Sequence, residues 1–118
     1  MDEGRPIFQQ IAEHLEAQIL TGTMPEESQV PSINELAAFF RINPATALKG
    51  INMLVDEGLL YKKRGIGMFV APGAPDRLLE RSRTTFVHDY VEPLAQRAQA
   101  LGIERTQVEE MLRKEMGA

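Results

Sequence analysis

Cysteine is absent from the 118 residues, which excludes a disulfide framework and thiolate zinc sites and fits a reducing compartment. Histidine is scarce. His14 and His88 are the two in the chain, and neither has a second histidine or a cysteine at ligand spacing, so no metal site is expected. The acidic pairs Asp56-Glu57 and Glu109-Glu110 are neighbours in sequence and read as solvated helix surface, not as facing catalytic carboxylates. With no nucleophile–base pair and no phosphate-binding loop in view, an enzyme is not expected. No apolar run approaches the roughly 20 residues needed to span a bilayer, and no basic-then-apolar leader opens the chain. A cytoplasmic protein without a membrane partner is the expectation. An overall excess of positive charge is missing too: the formal net charge is -4.

What charge there is has an uneven distribution. In residues 1–40, Arg5 stands against Asp2, Glu3, Glu13, Glu16, Glu26, Glu27 and Glu35. From Arg41 to Arg64 the balance reverses, with Arg41, Lys49, Lys62, Lys63 and Arg64 against only Asp56 and Glu57. A local basic face suffices for phosphate contact, because the field decays within about 8–10 Å at ordinary salt.

The periodicity is mostly helical. Pro6 opens a first helix with Phe8, Ile11, Leu15 and Ile19 at three- and four-residue steps, ended by Gly22. Ser32-Ile33-Asn34-Glu35 is a capping box for a short second helix carrying Leu36, Ala37 and Phe40. After Arg41-Ile42-Asn43, the pair Asn43-Pro44 starts a third helix. It runs to about Glu57, with Ala47, Ile51, Leu54 and Val55 on one face and Gly58 as its stop. Two helices joined by three residues form a helix-turn-helix. The β-prone runs Leu59–Tyr61 and Met68–Val70 flank "KKRGIG" and read as a hairpin, completing a winged helix.

Residues 71–75, Ala-Pro-Gly-Ala-Pro, give a linker signal. An amphipathic stretch follows with Phe86, Val87, Tyr90, Val91, Leu94, Ala98 and Leu101, closed by Gly102 and interrupted by Pro93, which is expected to kink or break it. Thr106-Gln107-Val108-Glu109 reads as the capping box of a last helix with Val108, Met111 and Leu112 inward. Two helices alone bury two apolar faces poorly, so the same hairpin of a second chain is the expected partner. The predicted fold is therefore mainly α with a small β-hairpin: a winged helix over residues 1–72 and a short C-terminal helical hairpin over residues 73–118 that dimerises. Phe86, Tyr90, Leu94, Leu101, Val108, Met111 and Leu112 are its candidate dimer interface.

A basic wing beside a helix that fits the major groove is an electrostatic footprint for duplex DNA. With Ala47, Ile51 and Leu54 inward, Ala45, Thr46, Lys49 and Asn52 point outward. Ala45 and Thr46 suit a thymine methyl, and Lys49 a guanine edge or a phosphate. The competing class is a winged helix turned to protein contact, its wing cations meeting an acidic partner.

"VPSINELAAFFRINPATALKGINMLVDEGLLYKKRGIGMFV", Val30 to Val70, resembles the winged-helix domain of the GntR family of bacterial transcription regulators. The Pro-Ser-x-x-Glu-Leu-Ala opening, the Asn-Pro-x-Thr turn, the Leu-x-x-Glu-Gly-Leu close and the Gly-x-Gly-x-Phe-Val wing match in order and spacing. The tail, with Pro93-Leu94 and Leu101-Gly102, is similar to the YtrA subfamily, whose C-terminal region serves dimerisation. The resemblance implies DNA contact at Ser32, Asn43, Thr46, Lys49 and the wing residues Lys62, Lys63, Arg64, Gly65, Ile66 and Gly67. Asn34, Arg41 and Ala45 complete the candidate set. Asn34, Leu48, Ile66 and Met68 depart from the residues common at those family positions. The resemblance further implies a homodimeric repressor on a pseudo-palindromic operator, with no cofactor and an effector that the residues do not identify.

Overall fold

The computed structural model describes residues 4–117. It comprises two compact units, Met1–Glu80 and Arg81–Ala118.

In the first unit, α1 (Ile7–Leu20) buries Ile11, Leu15 and Ile19 of the predicted stripe together with Ala12, while Phe8, the first residue of that stripe, is half-buried. Helix α2 (Ile33–Phe40) is started by the expected capping box: Ser32 Oγ accepts from Glu35 N–H, and Ser32 N–H donates to Glu35 Oε1, both at 3.1 Å. Arg41 ends it in the left-handed region, at φ 56° and ψ 52°. Helix α3 (Pro44–Asp56) starts where Asn43 Oδ1 accepts from Ala45 N–H at 2.8 Å, with Pro44 in the first turn. It packs Ala47, Gly50, Ile51 and Leu54 against α1 and α2. Strands β1 (Leu60–Lys63) and β2 (Gly67–Val70) form an antiparallel hairpin pairing Leu60 with Val70 and Lys63 with Gly67.

The hairpin has a neighbour that its own sequence does not announce. Gln29 makes a β-bridge to Phe69. Val30 N–H donates to Met68 O, and Val70 N–H to Ser28 O, each at 2.9 Å. The segment before α2 thus serves as a short third strand and ties the wing to the helical core. That core runs from Ile11 through Leu54 to Val70 and takes in Ala74 and Leu78 from the start of α4 (Ala74–Phe86). The linker signal at residues 71–75 therefore resolves into a short turn, with Ala71 and Ala74 both buried.

In the second unit, the helix changes hydrogen-bond register ahead of Pro93. Val87–Val91 is a π-helical turn, with Glu92 N–H donating to Val87 O five residues back. Pro93 then lies in the first turn of α5 (Glu92–Ala100), where it needs no amide partner. The expected interruption thus takes the form of a wider turn. Helix α6 (Arg105–Met116) is capped by Glu104 with Gln107, not by the expected Thr106 and Glu109. The reason is local. Ile103 N–H closes the end of α5 on Ala98 O at 2.8 Å, so Glu104 is the first residue free to start a new helix. Val108, Met111 and Leu112 are not inward in the single chain: Met111 and Leu112 are exposed and Val108 is half-buried.

Candidate nucleic-acid interface

The outward face of α3 follows from its buried one. With Ala47, Gly50, Ile51 and Leu54 buried, the opposite side carries Ala45, Leu48, Lys49 and Asn52, all exposed, while Thr46 is half-buried at its edge. The face is open because the turn before it is short: Ile42 N–H caps α2 on Ala37 O at 3.0 Å, and Asn43 restarts the chain at once. Gly50 sets how closely α3 lies on α1. A Cβ there would stand 2.9 Å from Phe8 O and 3.2 Å from Ile11 Cβ.

Beside α3 lies a cleft of about 350 Å³ bounded by Leu48, Asn52 and Val55 of α3, by Gln29 and Ser32, and by Lys62, Ile66, Gly67 and Met68 of the wing. Of the predicted contact residues, Ser32, Lys62, Ile66 and Gly67 thus share one recess. Arg41, Asn43 and Ala45 lie along the turn and first residues of α3, and Asn34 is exposed in α2. Lys49, Lys63, Arg64 and Gly65 do not line the cleft.

Two cations are not free-standing. The Lys49 ammonium sits 4.0 Å above the Phe8 ring, leaning across the α1/α3 seam. Lys63 belongs to β1, not to the turn, and its ammonium lies 4.3 Å over Phe69 and 5.8 Å from the centre of Tyr61. The Tyr61 hydroxyl donates to Glu27 Oε2 at 2.5 Å. That bond, with desolvation and the Glu27 charge, raises the phenol above its ordinary range. Lys62 and Arg64 are exposed.

Sequence reasoning missed Gln29, whose side-chain amide donates to Ile66 O at 3.1 Å, and Phe8, which holds Lys49. Neither has a local signal, since the partners are distant in sequence. His14 lies edge-on to Phe40, and His88 faces Glu92 at 3.1 Å. Among the described residues, no group of three or more His, Cys, Asp and Glu could hold a metal ion, and no helix is long and apolar enough to cross a membrane.

Residues 7–70, which hold the helix-turn-helix and the wing, match the family model described as bacterial regulatory proteins, gntR family. The chain belongs to the GntR family. Within it, the "HTH-type transcriptional repressor YtrA" of Bacillus subtilis (strain 168) is 28% identical over 109 residues, covering 92% of this chain and 83% of that protein. The likeness thus extends through the C-terminal unit, as the YtrA-like assignment requires. The "HTH-type transcriptional repressor NagR" of the same organism is 37% identical over 84 residues, covering 71% of this chain. The chain spans only about a third of that repressor's length, 34%. A GntR family transcriptional regulator from Listeria monocytogenes shares the fold, with a TM-score of 0.78 over 97% of this chain and 98% of its own, at 24% identity. The DNA-binding domain of AraR, solved in complex with operator ORX1, is 35% identical, with a TM-score of 0.56 over 60% of this chain and 87% of its own.

Proposed function

We propose that the protein is a homodimeric transcriptional repressor that binds a pseudo-palindromic operator in the cytoplasm. Residues 1–72 carry DNA contact and residues 73–118 pair the two copies. The observation that carries this reading is the outward surface that runs from Leu48 and Asn52 on the exposed face of α3 across the cleft to Lys62 of the wing, in the stretch from Arg41 to Arg64 where five cations stand against two acids. The AraR–operator complex, with a related domain, supports it.

In this reading the first turns of α3 enter the major groove, where Ala45, Thr46 and Lys49 meet base edges, with Asn52 further along the same face. The exposed N-terminus of α2 at Ser32 turns toward the backbone. Ser32 Oγ spends a lone pair on its cap, so its hydroxyl proton is left to donate to a phosphate. Lys62 and Arg64 neutralise the flanking phosphates, and Arg41 those near the turn. The names of YtrA and NagR support repression, which occupancy of a promoter accomplishes without a cofactor. Selection of bound sequences from a randomised duplex library by the full chain tests the reading. Two-fold related half-sites are expected, centred about 10 base pairs or a multiple apart. Affinity is expected to fall with salt at a log–log slope of about -0.9 per phosphate contact. A flat salt response, or no recovered duplex, would turn the winged helix toward an acidic protein partner instead.

A further inference from the structure

At the tip of the wing stands an apolar side chain: Ile66 is 64% exposed, between Gly65 at φ +78° and Gly67 at φ +146°. Its peptide groups are tied on both sides. Ile66 N–H donates to Lys63 O at 2.9 Å, and Ile66 O accepts from Gln29 Nε2 at 3.1 Å. Gln29 comes from outside the hairpin and is itself anchored by its bridge to Phe69. The positive φ favours glycine at residue 67, and a Cβ there would fall 2.6 Å from Gln29 Nε2, so a side chain at this residue would push the Gln29 amide from its place. Lys63, the last residue of β1, is drawn back over Phe69, while Arg64, in the turn itself, is exposed. The turn residue whose peptide groups are tied on both sides is Ile66, and it carries a branched hydrocarbon.

We propose that Gln29 is a positioning residue that locks the Ile66 tip, and that the locked tip selects flanking base pairs lacking the 2-amino group of guanine. The inference rests on the DNA-binding reading above. With α3 in a major groove, the wing beside it faces the adjoining minor groove, about 6 Å wide. A·T and G·C pairs differ there chiefly by the guanine 2-amino group on the groove floor. Isoleucine offers no acceptor, so seating it over that amino group displaces water from a donor and returns no hydrogen bond. Over A·T pairs the floor is clear of that group, and the side chain packs against the sugar walls. Locking the turn beforehand reduces the ordering lost on binding.

The test uses the full chain and the tightest duplex recovered from a randomised library. Each adenine outside the α3-contacted half-site cores is replaced in turn by 2,6-diaminopurine, which adds a 2-amino group and leaves the major-groove edge unchanged. At the wing flanks the native protein is expected to lose about fivefold in affinity, near the lower end of what one base-edge contact discriminates. Ile66→Ala is expected to bind the adenine and diaminopurine duplexes within about twofold of each other. Gln29→Ala is expected to lose the preference likewise, with the melting temperature and the half-site core preferences unchanged. Gln29→Ala combined with Ile66→Ala should lose no more of the preference than either alone. Equal binding of both duplexes by the native protein at every flank position overturns the apolar readout. A full preference kept by Gln29→Ala overturns its positioning role. Failure to recover any duplex removes the DNA-binding reading, and this inference with it.

Discussion

Arg41 shows a single residue serving two demands. As the cap of α2 it sits at φ 56° and ψ 52°, a region that costs a residue with a Cβ about 1 kcal/mol relative to glycine. Its exposed guanidinium lies where the turn meets the proposed DNA surface. Arg41→Gly is therefore expected to raise unfolding stability by up to about 1 kcal/mol, read from urea melts. The same change should weaken duplex binding and reduce the salt slope by about one contact. Lys62 and Lys49 make a second contrast. Lys62 is exposed on the wing, so Lys62→Ala should weaken selected and scrambled duplexes by similar factors. Lys49 leans on Phe8 yet belongs to the outward face of α3, so Lys49→Ala should cost about 1–3 kcal/mol of selectivity at one symmetric base pair. Titration of both variants against both duplexes at one salt concentration checks this. An equal loss on both duplexes would make Lys49 a phosphate clamp.

At the scale of elements, the seam between α1 and α3 fixes how far the outward face projects, and Gly50 is its closest point. Alanine would favour the helix by about 1 kcal/mol, but its Cβ would press on the Phe8 carbonyl and the Ile11 side chain. Since overpacking of a well-fitted core costs about 1–3 kcal/mol, Gly50→Ala is expected to lower the urea midpoint despite the better helix former. Legibility in the sequence divides along the same line between local and distant. Ser32 with Glu35, Asn43 with Pro44, and the spacing of Ala47, Ile51 and Leu54 act within a few residues, so the helix-turn-helix could be read directly. The bond from Gln29 to Ile66 and the stacking of Lys49 on Phe8 join distant segments, and only the folded chain brings them together. The cap of α6 fell between the two cases. Thr106 and Glu104 both offer side-chain oxygens with a partner three residues on, and the closure of α5 by Ile103 decides for Glu104.

At the scale of the molecule, the question is what the C-terminal unit is for. Among its described residues Ala98 alone is buried, and a segment this short has too little interior to be stable by itself. Its large apolar side chains are outside: Phe86 is 54%, Tyr90 66% and Leu101 60% exposed. A groove of about 410 Å³ between α5 and α6 is lined by Val91, Leu94, Ala98, Ile103, Val108 and Leu112. An unpaired chain would leave this surface in water, whereas a second copy would cover it by two-fold symmetry and space two winged helices for two half-sites. The native chain is accordingly expected to scatter light as a particle of twice its 13.2 kDa. Leu94→Asp places a charge in the groove, far in sequence from α3 and the wing, and should yield a folded monomer with an unchanged wing. Its affinity for a duplex with two half-sites should fall toward that for one half-site, a loss of about a hundredfold or more, because the second contact no longer gains from the first. If Leu94→Asp remains a dimer, the interface lies outside this groove. If the native chain is itself a monomer while binding a two-fold site, the half-sites are filled independently, and the C-terminal unit has another partner.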